Sequence, residues 1–330
     1  MRGDMSDLIC MGEYLIEFIA RQRDTGLPDV ADFVRGPGGA PANVAAAFSK
    51  LGGSAGFLGK VGDDPFGDYL TRELERIGVD TTYLVRDEHV RTTAVFVAVW
   101  EDGRKDLCFY RNPGADLMLT PGEVDLTVLR DADAFHFGSI GFIAPPLADA
   151  QTLALRTAQE EGLLISYDPN YRPTLWEDPN RAVRVIREHF ASCHLAKVSE
   201  EEWKIVAGDV GFDEGAEKIL SAGTQLLLIS RGEYGALAYT ESGRAEVSGI
   251  SVEVVETTGA GDSFLAATLL RLLPIWQEHR NLSQISSDEL QGILEFANAA
   301  GALTCLGAGA IPSIPSLRQV NEFLESGISG

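Results

Sequence analysis

Glu256-Thr257-Thr258-Gly259-Ala260-Gly261-Asp262-Ser263-Phe264-Leu265 is the stretch whose reading decides the fold of this chain. It is expected to join a strand-like run at 247–255 to an apolar, helix-like run at 264–273. Two glycines remove Cβ atoms and let backbone approach a ligand closely. A helix start offers unpaired N–H groups and the positive end of the helix dipole, a ready place for phosphate. Asp262 stands inside that same turn. A carboxylate is out of place in a turn that only binds anions. It fits a turn where a phosphoryl group is moved and a hydroxyl must be oriented or deprotonated beside it.

Two familiar readings of the turn fail. Gly259 and Gly261 give G-x-G, but the third glycine of a dinucleotide fingerprint would be Phe264. No G-K-[ST] follows, so the turn is no Walker A loop. The remaining bland reading is a helix-capping turn with Asp262 as the capping group. A second glycine-rich turn lies at Gly36-Pro37-Gly38-Gly39-Ala40-Pro41-Ala42-Asn43 and feeds an apolar helix that Leu51-Gly52-Gly53 ends. Asn43 is polar in the first turns of that helix. It either bonds nearby backbone or holds a polyol hydroxyl. Residues 59–67 then close a strand and open another helix.

The two glycine stretches resemble the two signatures of the ribokinase (PfkB) sugar kinases, an early G-G-x-x-x-N and a late D-T-T-G-A-G-D-S-F. Within that family the chain is similar to the fructokinase branch. Phe109-Tyr110-Arg111-Asn112-Pro113-Gly114-Ala115-Asp116, the run from Ser166 through Asp168, Asn170 and Arg172 to Trp176, and Lys197-Val198-Ser199-Glu200-Glu201-Glu202 carry that likeness. The resemblance spans residues 9–315. It implies an α/β fold, a ribokinase-like three-layer α/β/α arrangement of a mostly parallel sheet with a small β-sheet lid.

Composition sets the outer bounds. The 330 residues suffice for one large domain with an insert or for two domains, and 45% apolar with 23% charged content is ordinary for a globular protein. A net charge of −22 argues against nucleic acid or an anionic membrane as partner. Positive potential for a nucleotide must then be local. The four cysteines have no C-x-x-C pairing, which suits a reducing, cytoplasmic compartment. The five histidines read as structural or surface residues. No apolar run reaches membrane-spanning length, and the first residues carry no signal-peptide core.

From residue 132 onward, strands and helices alternate. Strands are expected at 134–137, 163–167, 195–198 and 225–230, with helices at 147–161, 181–190, 200–207 and 214–221. Such alternation implies a parallel sheet covered on both faces, with ligands at the carboxyl ends of the strands. Residues 92–100 and 105–110, joined by the turn Glu101-Asp102-Gly103, break the rhythm as a β-hairpin. Residues 13–35 are expected to join it. The organisation read from the chain is a main nucleotide- and sugar-binding domain at 1–12, 36–90 and 113–330, with a β lid at 13–35 and 91–112. The lid is also a candidate surface for a homodimer.

The resemblance implies a kinase moving the γ-phosphoryl group of ATP to a small sugar, most readily fructose. The N–H groups of Gly259, Ala260, Gly261 and Asp262 would hold the transferring phosphate, and Asp262 would accept the hydroxyl proton. The helix N-terminus is expected to favour its ionised form. Glu17, where the family carries Asp, stands with Gly39, Asn43, Arg111, Asn170 and Arg172 as the sugar-side set. Arg111 reads equally as a lid surface charge, and Arg172 as an ion-pair partner. Lys197, Ser199, Ser230, Gly232 and Asn298 match ATP-binding positions, Asn298 alternatively making a helix-to-neighbour hydrogen bond. Glu202 would organise Mg²⁺ through water, while Glu200 and Glu201 belong to a solvated helix start. Glu256 replaces an Asp of the family's monovalent-cation site, whose other members would be Thr258, Thr304, Gly307, Gly309 and Ser313, leaving K⁺ activation in question.

Other readings stay open. Asp168-x-Asn170-x-Arg172 also suits a 2-keto-3-deoxygluconate kinase of the same family, and a nucleoside kinase belongs to it too. A sugar- or nucleotide-binding regulator without activity is the alternative of another class. An intact Gly-Ala-Gly-Asp turn speaks against that last reading.

Overall fold

The computed structural model describes residues 6–100 and 104–326. Its main sheet contains β1 (Leu8–Met11), β4 (Ala55–Gly62), β5 (Leu84–Asp87), β8 (Ala134–Gly138), β9 (Leu164–Asp168), β10 (Leu195–Ser199), β11 (Leu226–Ser230), β12 (Ala236–Tyr239) and β13 (Arg244–Val247). A second sheet contains β2 (Leu15–Ala20), β3 (Phe33–Gly38), β6 (Ala94–Val99) and β7 (Lys105–Tyr110). The main sheet runs β13-β12-β11-β10-β9-β8-β1-β4-β5, parallel except where β12 pairs with β11 and β13.

Strand periodicity of two divides the interior. Leu8 and Cys10 face one core while Ile9 and Met11 face the other. The first core is closed by α1 (Ala40–Lys50), α2 (Pro65–Ile77), α7 (Ala260–His279), α8 (Ser287–Thr304) and α10 (Leu317–Glu325), with the short α9 (Ala310–Ser313) beside them. The second is closed by α3 (Leu147–Glu160), α4 (Pro179–Glu188), α5 (Glu200–Ala207) and α6 (Phe212–Ser221). Three layers result because a parallel sheet must bury both faces. Local chemistry sets the helix ends. Asp64 caps α2 by accepting from the N–H groups of Phe66 and Gly67, both at 2.9 Å, and Gly78 stops it with φ +90°.

The second sheet runs β3-β2-β6-β7, and its hairpin pairs Val99 with Lys105. The turn expected at 101–103 lies outside the described residues. Register puts Glu17, Val97, Lys105, Leu107 and Phe109 on the face toward the main sheet. Phe18, Phe33, Phe96 and Tyr110 form an aromatic cluster on the opposite face. This sheet continues past residue 35, since β3 extends to Gly38.

One expectation fails. Residues 247–255 form no strand beyond Val247, and Val254 and Val255 are exposed. The alternation of Val252, Glu253 and Val254 imitates a strand, but the sheet ends at β13, and among the described residues no strand pairs with this segment. The decisive glycine turn is therefore fed by an irregular loop, and α7 begins at Ala260 rather than near 264. The other expected strands and helices from 134 to 230 appear within two residues of their read boundaries.

Phe57 is wholly buried, edge-on to Tyr14 with ring centroids 5.6 Å apart. Phe57→Ala is expected to cost about 3–5 kcal/mol, visible as a lower midpoint in urea unfolding. A midpoint unchanged from wild type would contradict this account of the core.

Candidate active site

A cleft of about 970 Å³ lies between the carboxyl ends of β9, β10 and β11 and the inner face of the second sheet. Its floor is the glycine turn. The N–H groups of Val255 and Glu256 both donate to the Cys305 carbonyl, at 2.9 and 3.3 Å, and tie the incoming loop down. Gly259 then caps α7 with φ +83°, and a Cβ there would lie 2.9 Å from that of Ala310. The Ala260 N–H donates to the Thr257 carbonyl at 3.2 Å. That bond occupies the Ala260 N–H, one of the four donors expected to make an anion hole, and the remaining candidates are Gly259, Gly261 and Asp262. The cause is the tight turn, which closes a local hydrogen bond as it enters the helix.

Asp262 occupies the first turn of α7 and accepts a 2.8 Å hydrogen bond from Asn43 Nδ2. Asn43 is buried, and its Oδ1 has no partner. Thus the two glycine signatures meet through a side-chain pair 219 positions apart. Burial pushes the Asp262 carboxyl up to about 6, against the Asn43 bond, while Asp168 adds to the rise and Lys197 and Arg172 oppose it. The expectation that the helix N-terminus would dominate is corrected: desolvation outweighs it. The group is still mostly ionised at neutral pH.

Behind the turn, Lys197 Nζ bonds Asp168 Oδ2 at 2.9 Å with both side chains buried. Burial opposes the lysine's charge, but Asp168, Glu202 and Asp262 raise its pKa overall. A Cβ on Gly261 would stand 3.0 Å from the ammonium. Asp168 Oδ1 also accepts from the N–H of Asn170, a residue held at φ +42°. Asp168 is not among the site candidates read from the chain. Its place at the end of β9 was the available signal.

The sugar-side candidates Glu17, Gly39, Asn43, Arg111, Asn170 and Arg172 all line the cleft. Glu17 packs over Gly38, where a Cβ would meet its carboxylate at 2.4 Å, and Gly39 sits at φ +120° against the Glu13 carbonyl. Burial raises the Glu17 carboxyl to about 7, with Lys105 the strongest opposing charge. Glu13, missed in the sequence, is buried at the cleft, accepts from the Ala40 N–H and is raised to about 7, chiefly by burial. Arg111 is no lid surface charge. Its side chain is 4% exposed and paired with the fully buried Asp116, which also accepts from Thr93 Oγ1. Arg172 is exposed and makes no ion pair among the described residues; Nη1 donates to the Tyr171 carbonyl.

Of the candidates for the nucleotide, Lys197, Ser199, Ser230 and Gly232 line the cleft. Asn298 does not; its Nδ2 donates to the Ser248 carbonyl at 2.8 Å, the hydrogen-bonding alternative. Glu202 is buried, closes a capping box with Ser199 and accepts from the Tyr171 N–H at 2.6 Å, whereas Glu200 and Glu201 are exposed. Those bonds fill most of its acceptor capacity, leaving room for one water-mediated contact. In the cation-site set, Glu256 accepts from Thr258 Oγ1 and, at 2.8 Å, from the Gly309 N–H. Thr304 Oγ1 turns back to the Ala300 carbonyl. Ser313 Oγ is buried without a partner, and a Cβ on Gly307 would crowd it at 2.4 Å.

The sequence model described as pfkB family carbohydrate kinase matches residues 5–317. A probable fructokinase-4 of Arabidopsis thaliana is 40% identical over 326 residues, 98% of each chain. A fructokinase from Xylella fastidiosa with bound ATP superposes with a TM-score of 0.85 at 29% identity, covering 98% of this chain and 99% of its own. A double-mutant fructokinase from Vibrio cholerae O395, in its fructose-, ADP- and potassium-bound form, gives 0.83 at 28% identity, covering 97% and 99%.

Breaking the buried pair by Lys197→Met leaves the Asp168 charge uncompensated. Urea unfolding is expected to register a loss of about 3–5 kcal/mol. Adding Asp168→Asn should recover part of it. Losses that simply add would mean that the two groups are not coupled.

Proposed function

We propose that this chain, which belongs to the pfkB family of carbohydrate kinases, transfers the γ-phosphoryl group of ATP to a hydroxyl of fructose. The observation that carries the reading is Asp262, ionisable and bonded to Asn43, in the glycine turn that lines the cleft. The acceptor oxygen bonds to the γ-phosphorus as the bond to the β–γ bridging oxygen breaks. The hydroxyl proton goes to Asp262, and ADP leaves. The N–H groups of Gly259, Gly261 and Asp262 stabilise the charge on the moving group. Fructose is chosen over other sugars because the full-length relatives carry that name.

The remaining candidates divide by position. Glu17, Gly39, Asn43, Arg111, Asn170 and Arg172 orient the sugar. Lys197, Ser199, Ser230 and Gly232 face the nucleotide. Mg²⁺ supplies charge neutralisation on the phosphates, and Glu202 would hold one of its waters. The unpartnered Ser313 hydroxyl and the Glu256 carboxylate are oxygen donors that fit a monovalent cation such as K⁺. They would hold it beside the loop, with Thr258, Gly307 and Gly309 close by and Thr304 committed to the helix. The second sheet acts as a lid, and the apolar residues of its inner face, Val97, Leu107 and Phe109, keep water from the phosphoryl group.

The outer lid face suits a homodimer. Phe18, Phe33 and Phe96 lie there with Tyr110, which is 67% exposed. Among the described residues no helix is long and apolar enough to cross a membrane.

ADP release with Mg-ATP should appear with fructose in a panel also holding ribose, 2-keto-3-deoxygluconate, glucose and adenosine. Turnover with the acidic sugar alone would replace fructose and make Arg172 the specificity residue. Asp262→Asn should lower turnover about 10²–10⁴-fold. Because the base works ionised, kcat/KM should fall as pH drops through about 6 and level off above it. Near-normal turnover by a folded Asp262→Asn protein would sink the assignment. For the dimer, sedimentation velocity of Tyr110→Glu should give a monomer where wild type gives a dimer; a monomeric wild type would refute the interface.

A further inference from the structure

We infer that Lys105, carried on the lid strand β7, is a catalytic residue that contacts the transferring phosphoryl group. The inference rests on the phosphoryl-transfer reading above and names a contact from the lid side of the site. It begins with register. Lys105 pairs with Val99 at the start of β7, and period two points it to the cleft with Leu107 and Phe109. Its ammonium reaches across the cleft and donates to Thr258 Oγ1 at 2.7 Å. Thr258 immediately precedes Gly259, where the hole of N–H groups begins. The same ammonium is the strongest positive neighbour of Glu17 on the sugar side. It therefore stands between the two reactants.

Charge accounting singles it out. Five cations line the cleft among the described residues: Lys105, Arg111, Arg172, Lys197 and Arg231. Asp116 compensates Arg111, Asp168 compensates Lys197, and Glu246 pairs with Arg231 at 2.8 Å. Lys105 and Arg172 remain, bonded to a neutral hydroxyl and a backbone carbonyl. In a chain of net charge −22 that must hold a polyphosphate, an uncompensated cation beside the anion hole has a plain use.

The chemistry of the group fits. An ammonium has three N–H donors on a flexible stem. One goes to Thr258, which in turn donates to Glu256. Two are left for phosphate oxygens. Lys105 stays protonated throughout, since the hydroxyl proton goes to Asp262, and it acts by charge and hydrogen bonding alone. Because it rides on the lid, its contact forms only when the lid covers the cleft, which ties phosphoryl transfer to exclusion of water.

The competing account is a lid fastening that holds β7 against residue 258 and touches no substrate. Calorimetry on the full chain without sugar separates the two. Wild type should bind a non-hydrolysable Mg-ATP analogue about tenfold more tightly than Lys105→Met does, whereas Mg-ADP should bind both equally. Turnover of Lys105→Met with fructose should fall about 10²-fold, the usual loss for one donor to a developing charge. Lys105→Arg should restore most of both. Equal weakening of the two nucleotides, no weakening of either, or full turnover by Lys105→Met would overturn the inference. The binding arm needs no sugar. Should wild type phosphorylate nothing in the panel yet lose its selective hold on the analogue in Lys105→Met, the fructose assignment fails while the phosphate contact stands.

Discussion

Gly261 and Lys197 meet where a single methyl group would not fit comfortably. A Cβ at Gly261 would lie 3.0 Å from the Lys197 ammonium, itself locked to Asp168 below the surface. That contact joins the first turn of α7 to the ends of β9 and β10. Asp262, the next residue, reaches Asn43 because α7 packs directly on α1. The charge pair below the turn is costly to bury. It is held there by further carboxylates, Glu202 and Asp262, whose fields keep the lysine charged. The site's electrostatics and its backbone shape are therefore one constraint.

The cleft repeats this logic on its other wall. Gly38 makes room for the Glu17 side chain, and Gly39 presses on the Glu13 backbone. Glu13 is buried and Glu17 half-buried, and both are held well above the ordinary carboxylate range, so this wall of the cleft is less negative than its composition suggests. An acidic chain can accept a polyanion on these terms. Of the carboxylates at the cleft, Asp116 and Asp168 are paired with cations and Glu13 and Glu17 are partly neutralised by burial, and backbone N–H groups supply positive potential without adding cations.

Much of this was legible in the chain. Glycines followed by an apolar helix announce close backbone approach, and the alternation from 134 to 230 announces a covered parallel sheet. The strand misread at 247–255 shows the limit of periodicity. Val252 and Val254 alternate with polar residues, yet among the described residues no neighbouring strand pairs with them. Asn298 kept an apolar helix pattern with one amide, and only the position of the Ser248 carbonyl told which role that amide takes.

The sequence by itself determined the local devices: two glycine turns, their helices, the carboxylate and the amide within them, and the hairpin. These follow from short-range sterics and period, which neighbours in the chain already specify. Only the tertiary structure decided which charges compensate one another. Arg111 became a buried partner of Asp116 and Lys197 of Asp168, while Lys105, without an ion pair among the described residues, reaches across the cleft to Thr258. Ion pairing depends on distances between atoms far apart in the chain, and desolvation depends on everything packed around them. Neither is carried by any window of residues, so the pKa of Asp262 moved opposite to what its helix position implied.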